Sequence, residues 1–162
     1  TVYVRVPNRK TSELYTSVPE LNTLKSLSVN GEAVEMKADR GYIAIARDWK
    51  KGDRIDLEIP LEVQQITADE KVEALSGLVA LRYGPMIYNV ERADNKDINQ
   101  AVSSEPFKAV WRSDMFKGIV GIEGKWADGS DLLAIPNYLR MNRIQPVQEG
   151  RRSPESMVWM RK

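Results

Sequence analysis

Apolar and polar side chains alternate with a period of two along much of this 162-residue chain. Val2, Val4 and Val6 fall on one side of the opening run, and Tyr3 and Arg5 on the other. Ile43 and Ile45 repeat the rhythm, as do Ile55, Leu57 and Ile59 against Arg54, Asp56 and Glu58. Strand side chains point to opposite faces in turn, so each run reads as a strand with one buried face. Aliphatic and aromatic runs at Leu24–Val29, Leu61–Thr67, Phe107–Trp111, Ile119–Glu123, Leu132–Ile135 and Met157–Met160 read as further strands. Between Val29 and Ala33 stands Asn30-Gly31. Both central residues of a type I′ turn need φ > 0, so this pair predicts a hairpin, with Ala33–Met36 pairing back. A period of 3.6 is nearly absent, and one helical turn is allowed at Asp69–Val72.

The most apolar stretch is Gly77–Glu91, two runs at Leu78–Tyr83 and Met86–Glu91 around Gly84-Pro85. Proline gives no N–H to a ladder, and glycine accepts φ > 0. A bent or corner-turning strand is the preferred reading, and a tight hairpin is the alternative. Polar stretches surround these runs. Arg9–Glu20 reads as a loop with a short strand at Leu14–Thr16, Ala93–Glu105 as a surface loop, and Asn142–Pro154 as a mobile loop. About a dozen short strands with turns between them mean an all-β fold, an antiparallel β-sandwich with a jelly-roll-like character. The polar outer faces favour antiparallel pairing. One domain over residues 1–162 accounts for the length.

Composition removes several chemistries. There is no cysteine and no histidine, so disulfides, a thiolate nucleophile and the commonest zinc ligand are excluded. Lys plus Arg is 24 against 23 for Asp plus Glu. That balance gives no general attraction to nucleic acid or to an anionic membrane, and neither is expected as a partner. No apolar run approaches the roughly 20 residues of a membrane helix, and no signal peptide is visible. The chain starts without methionine inside a strand pattern, which suggests a piece of a longer protein. No cofactor or metal is expected in it.

Asp56 and Glu58 share a strand face and could pose as an acid and base, but a solvated strand face is the simpler reading. Asp94-x-x-Asp97-x-Asn99 offers oxygen ligands without the spacing or glycine of a strict calcium loop. Glu91 ends an apolar run and should pair with a nearby arginine or cap the strand. Trp49, Trp111, Trp126 and Tyr138 could stack on the apolar face of a sugar, or could be core residues. Lys50-Lys51 and Arg151-Arg152 are short basic pairs, too small for a patch.

Many short segments then fall in a recognisable order. They are Arg5-Val-Pro7, Ser12-Glu-Leu-Tyr-Thr16, Val29-Asn-Gly-Glu32, Gly41-Tyr42, Ile45-Ala-Arg47 and Trp49-Lys-Lys-Gly-Asp53. Val79-Ala-Leu-Arg-Tyr-Gly-Pro-Met-Ile-Tyr88, Glu91, Leu133-Ala-Ile-Pro136, Asn142-Arg143 and Met157-Val-Trp159 follow. Together they resemble the C-terminal region of glycoside hydrolase family 127, the β-L-arabinofuranosidases. The resemblance implies β-sandwich modules that follow an (α/α)6 catalytic barrel. It places the cysteine nucleophile, the zinc-binding cysteines and the catalytic glutamates in that barrel, so no catalytic residue carries over. The chain departs from the family at Asn89, where a cysteine is usual. Ile135-Pro-Asn-Tyr-Leu-Arg-Met-Asn-Arg143 also replaces an aromatic-rich segment.

The resemblance implies an accessory module that braces the parent's catalytic barrel and aids formation of a homodimer. The alternative is a carbohydrate-binding module for arabinose-containing glycans. Its sugar-contacting candidates are Trp111, Trp126, Tyr138, Asn142 and Arg143. The residues leave the compartment open, and the resemblance implies an extracytoplasmic or periplasmic parent.

Overall fold

Asn30 and Gly31 take φ of 53° and 84° in the computed structural model, the two positive values that a type I′ turn demands. The structure describes residues 1–8, 12–21, 23–143 and 156–162. In chain order, the strands are β1 (Val2–Arg5), β2 (Tyr15–Val18), β3 (Ser26–Val29), β4 (Glu32–Ala33), β5 (Tyr42–Ile45), β6 (Ile55–Glu58) and β7 (Val63–Ala68). After them come β8 (Leu78–Tyr83), β9 (Met86–Glu91), β10 (Lys108–Arg112), β11 (Ile119–Lys125), β12 (Asp131–Pro136), β13 (Ser156–Met157) and β14 (Met160–Arg161). Two single 3-10 turns, Glu73–Leu75 and Asn137–Leu139, are the helical content among the described residues. The fold is all-β, and its sheets are curled, antiparallel and sandwich-like.

The sequence pattern offered no boundary inside residues 1–162. The structure divides into two compact units, one of residues 1–12 and 20–61, the other of residues 13–19 and 62–162. In the first unit β1 pairs with β5, and β3 lies between β4 and β6. The register Val2↔Ile45 and Val4↔Ile43 sends the valines and isoleucines to the same side, because cross-strand partners share a face. Val4, Ile43 and Ile45 meet Leu24, Leu27, Val29 and Ile55 in one core, while Val2, near the start of the strand, stays exposed. Each such side chain contributes about 2 kcal/mol when fully buried. Asn30 also ties the far end of this unit. Its side chain donates to Asp53 Oδ1 at 2.8 Å and accepts from the Arg54 N–H at 2.9 Å. The alternation misleads at Leu57 and Ile59, which remain exposed. Period two fixes a side chain's face, but only a neighbour on that face can bury it, and β6 is an edge strand.

The second unit holds one nine-stranded sheet with the path β10-β11-β12-β9-β8-β7-β2. Gly84-Pro85 is a hairpin here and does not bend one strand. Tyr83 pairs with Met86 and Arg82 with Ile87, and Gly84 takes φ of 57°. A positive φ followed by the fixed negative φ of proline has the sign pattern of a type II′ turn. Beyond these pairs β8 and β9 diverge. The C-terminal run fills both freed edges, β13 on β9 and β14 on β8. The single closing strand expected at Met157–Met160 is therefore two short strands with a break between them. The main core lies inside this curl and includes Val79, Leu81, Tyr88, Val90, Ile122 and Leu132. A smaller cluster of Met115, Ile119, Leu133, Ile135 and Leu139 occupies the other face. Residues 144–155, most of the stretch read as a mobile loop, lie outside the described residues.

Candidate functional site

The polar run Ala93–Glu105 proves to be anchored in the core. Ile98 is fully buried and Asn95 nearly so. The Asn95 amide donates to the carbonyls of Glu91 at 2.8 Å and Leu133 at 2.9 Å. Its oxygen accepts from the Leu133 N–H at 3.0 Å and from Trp126 Nε1 at 3.2 Å. Trp126 is 0% exposed, so its ring packs the core and has no face for a ligand. A buried indole N–H needs a partner, and Asn95 supplies it. Sequence reasoning missed Asn95. The only cue was Ile98, a lone isoleucine inside a polar run.

Trp111 and Tyr138 are placed differently, at 65% and 66% exposed. Trp111 lies on β10, an edge strand, across from Val120. Its ring covers Gly118, where an added Cβ would stand 2.4 Å from a ring carbon. The indole is thus seated against Gly118 while much of the side chain stays in solvent. Tyr88, on β9, reaches toward this edge. Its hydroxyl donates to the Val120 carbonyl at 3.0 Å. Burial pushes the Tyr88 phenol up to about 12, and the nearby Tyr138 and Tyr83 add to the shift. Chemically, an exposed indole and phenol suit C–H stacking with a sugar ring.

Arg143 and Glu91 form an ionic latch. Arg143 reaches Glu91 at 2.7 Å and grips both oxygens of Asp94. The other Glu91 oxygen accepts the Met141 N–H at 2.6 Å. The bond to Asp94, followed by that to Glu91, raises the Arg143 pKa further. The Arg143 guanidinium also sits 5.4 Å from the Phe116 ring centroid. Glu91 was expected to pair with an arginine or cap its strand, and it does the first. Asn142, next to the latch, is exposed.

Remaining candidates scatter. Asp56 pairs with Arg54 and Glu58 with Lys25, on the solvated side of β6. Asp97 accepts from the backbone and side chain of Asn99, while Asp94 is held by Arg143, so the two aspartates serve different partners. Trp49 packs half-buried against the core of the first unit, with Arg47 5.4 Å from its ring centroid. Lys50 and Lys51 are exposed, and Arg151-Arg152 fall outside the described residues.

Comparison with known proteins also divides the chain after residue 61, although residues 13–19 of the second unit fall within the match over residues 1–61. Residues 63–161 match the glycoside hydrolase family 127 C-terminal domain. Residues 1–61 match the "Beta-L-arabinofuranosidase, GH127 middle domain". A non-reducing end beta-L-arabinofuranosidase of Bifidobacterium longum is 25% identical over 108 residues, 67% of this chain and 15% of the relative. A solved family 127 beta-arabinofuranosidase superposes with a TM-score of 0.73 at 27% identity, over 93% of this chain and 25% of that one. A family 127 beta-L-arabinofuranosidase from Geobacillus stearothermophilus T6 gives 0.71 at 25% identity, over 92% and 27%. The chain thus spans between about a seventh and about a quarter of the length of these relatives.

Proposed function

The chain belongs to glycoside hydrolase family 127, and from that membership we propose that it is the non-catalytic β-sandwich part of a larger β-L-arabinofuranosidase-like enzyme. It braces an (α/α)6 catalytic barrel and aids dimerisation. The observation that carries this reading is the span. Two adjoining modules, a middle and a C-terminal one, account for nearly the whole chain, and relatives are about four times longer or more. The latch supports it too, because one guanidinium is hydrogen-bonded to both Glu91 and Asp94, so both carboxylates are engaged in an ion pair. Exposed Leu57, Ile59 and Leu61 at the end of the first unit supply apolar surface of the kind a neighbouring domain covers. On this reading the module uses no cofactor, nucleic acid or membrane, and it shares the compartment of an extracytoplasmic parent.

The test is hydrolysis of an aryl β-L-arabinofuranoside by the isolated chain and by the longer protein. The chain should give no turnover and the longer protein should give it. Turnover by the chain that persists after repurification would overturn the assignment. A second reading, carbohydrate binding, is favoured by the exposure of Trp111 and Tyr138. Quenching or blue shift of tryptophan emission by arabino-oligosaccharides, lost in Trp111→Ala, would support it.

A further inference from the structure

Strands β1 and β5 present a second aromatic pair, far in sequence from Trp111 and Tyr138. The register Tyr3↔Ala44 and Arg5↔Tyr42 places Tyr3 and Tyr42 on the outer face of this sheet, opposite the valines and isoleucines of the core. They are diagonal neighbours, a spacing of about 7–8 Å between backbones. Tyr3 is 67% exposed and Tyr42 is 42% exposed. Both line a hollow of about 760 Å³ with Ala44 and Val34. That volume lies within the roughly 300–1,000 Å³ of small-ligand sites.

The rim of the hollow is charged and balanced. Glu35 and Asp39 contribute carboxylates, and Lys37 and Arg40 contribute cations. The Asp39–Tyr42 turn is fixed by two backbone hydrogen bonds of 2.8 and 2.9 Å. Arg40 and Gly41 at its tip both have positive φ, 47° and 83°. A non-glycine residue held there is uncommon, and it sets Arg40 at the mouth of the hollow. Arg40 meets Asp39 at 3.4 Å with both side chains in solvent, so each keeps free hydrogen-bonding capacity.

We infer that this hollow is a binding site for a neutral oligosaccharide. Two exposed phenol rings on one sheet face offer stacking surface for the apolar side of sugar rings. Two acids and two bases offer acceptors and donors for hydroxyls, while their balance gives no preference for an anion or a cation. The site lies wholly in the first unit, so it is independent of the Trp111–Tyr138 edge. It is also independent of the accessory assignment, since a module without catalytic power can bind sugar or fail to.

The test titrates the 162-residue chain with neutral hexasaccharides of arabinofuranose, xylose and glucose, followed by backbone amide NMR. At least one should shift the amides of Tyr3, Lys37, Arg40 and Tyr42 in a saturable manner. The double variant Tyr3→Ala/Tyr42→Ala should bind roughly tenfold more weakly with an otherwise unchanged spectrum. Trp111→Ala should leave this binding intact. Shifts confined to the Trp111 edge, or none up to about 10 mM, a limit beyond even weak millimolar affinity, would overturn the inference. So would tighter binding of an oligogalacturonate or a chitosan oligomer, which would indicate a charge site. Binding to this chain that is absent from the longer protein would show that another domain covers the hollow, and would overturn it as well.

Discussion

The two units hold themselves together in different ways. The first has five buried aliphatic side chains in its core and relies on turn chemistry. Asn30 bonds to Asp53 and Arg54, and Asp53 in turn accepts the Lys50 N–H at 2.8 Å. The second has a larger core and places polar groups inside it, with Asn95 under Trp126 and the carboxylate of Glu91 beneath Arg143. A small domain can be closed by locally satisfied turns. A larger curled sheet must also satisfy the carbonyls and N–H groups that its irregular connections carry inward. Single substitutions should therefore cost more in the second unit than in the first.

Trp126→Ala should show the largest loss, about 4 kcal/mol, mostly through the cavity, with a smaller part from the loss of one of the two donors to the Asn95 oxygen. Hydrogen exchange read separately over the amides of each unit would locate it, with faster exchange expected in β9, β11 and β12. Equal acceleration in β3 and β6 would break the contrast. Arg143→Ala should follow at roughly 3 kcal/mol, because it strands a buried carboxylate. Urea denaturation measures this, and Glu91→Gln in the same background should recover part of the loss.

Gly118→Ala should cost about 2 kcal/mol, since the new Cβ meets the Trp111 ring and the backbone φ is +110°. In a Trp111→Ala background the steric part of that cost should vanish and only the backbone part remain. In the first unit, Asn30→Ala should cost about 1 kcal/mol by removing the hydrogen bonds that tie the turn to Asp53 and Arg54. A larger loss than that from Arg143→Ala would reverse the ranking of the units.

The smallest effect is one of acidity. The Lys50 N–H, with help from Asn30, holds the Asp53 carboxyl below its usual 3.8. A depressed pKa stabilises the fold above the unfolded value, and this contribution is lost as pH falls through the folded value. Acid titration below pH 4 should weaken the first unit, and Asp53→Asn should flatten that dependence. An unchanged acid limb would mean that Asp53 does not report on this turn.

Local rules decided what could be read early. Period-two alternation located β1, β5 and β6, because a strand's faces follow from covalent geometry alone, and short aliphatic and aromatic runs located most of the others. Asn30-Gly31 identified its own turn, since few residue pairs accept two positive φ values. The same reasoning left Gly84-Pro85 open between a bend and a hairpin, because the choice depended on which strand Tyr83 would face. The order of short motifs gave the family, and the accessory role was expected from it. Nothing local distinguished Trp126, sealed over Asn95, from Trp111, seated in solvent on Gly118.

Sequence by itself determined most of the strands, the faces of β1 and β5, the type I′ turn and the lack of thiol or imidazole chemistry. All of these depend on a residue and its nearest neighbours. Only the tertiary structure decided which aromatics meet solvent, that Glu91, Asp94 and Arg143 converge, and that Tyr3 and Tyr42 share a hollow. Those facts depend on strand register and on what lies across the sheet, tens of residues away along the chain.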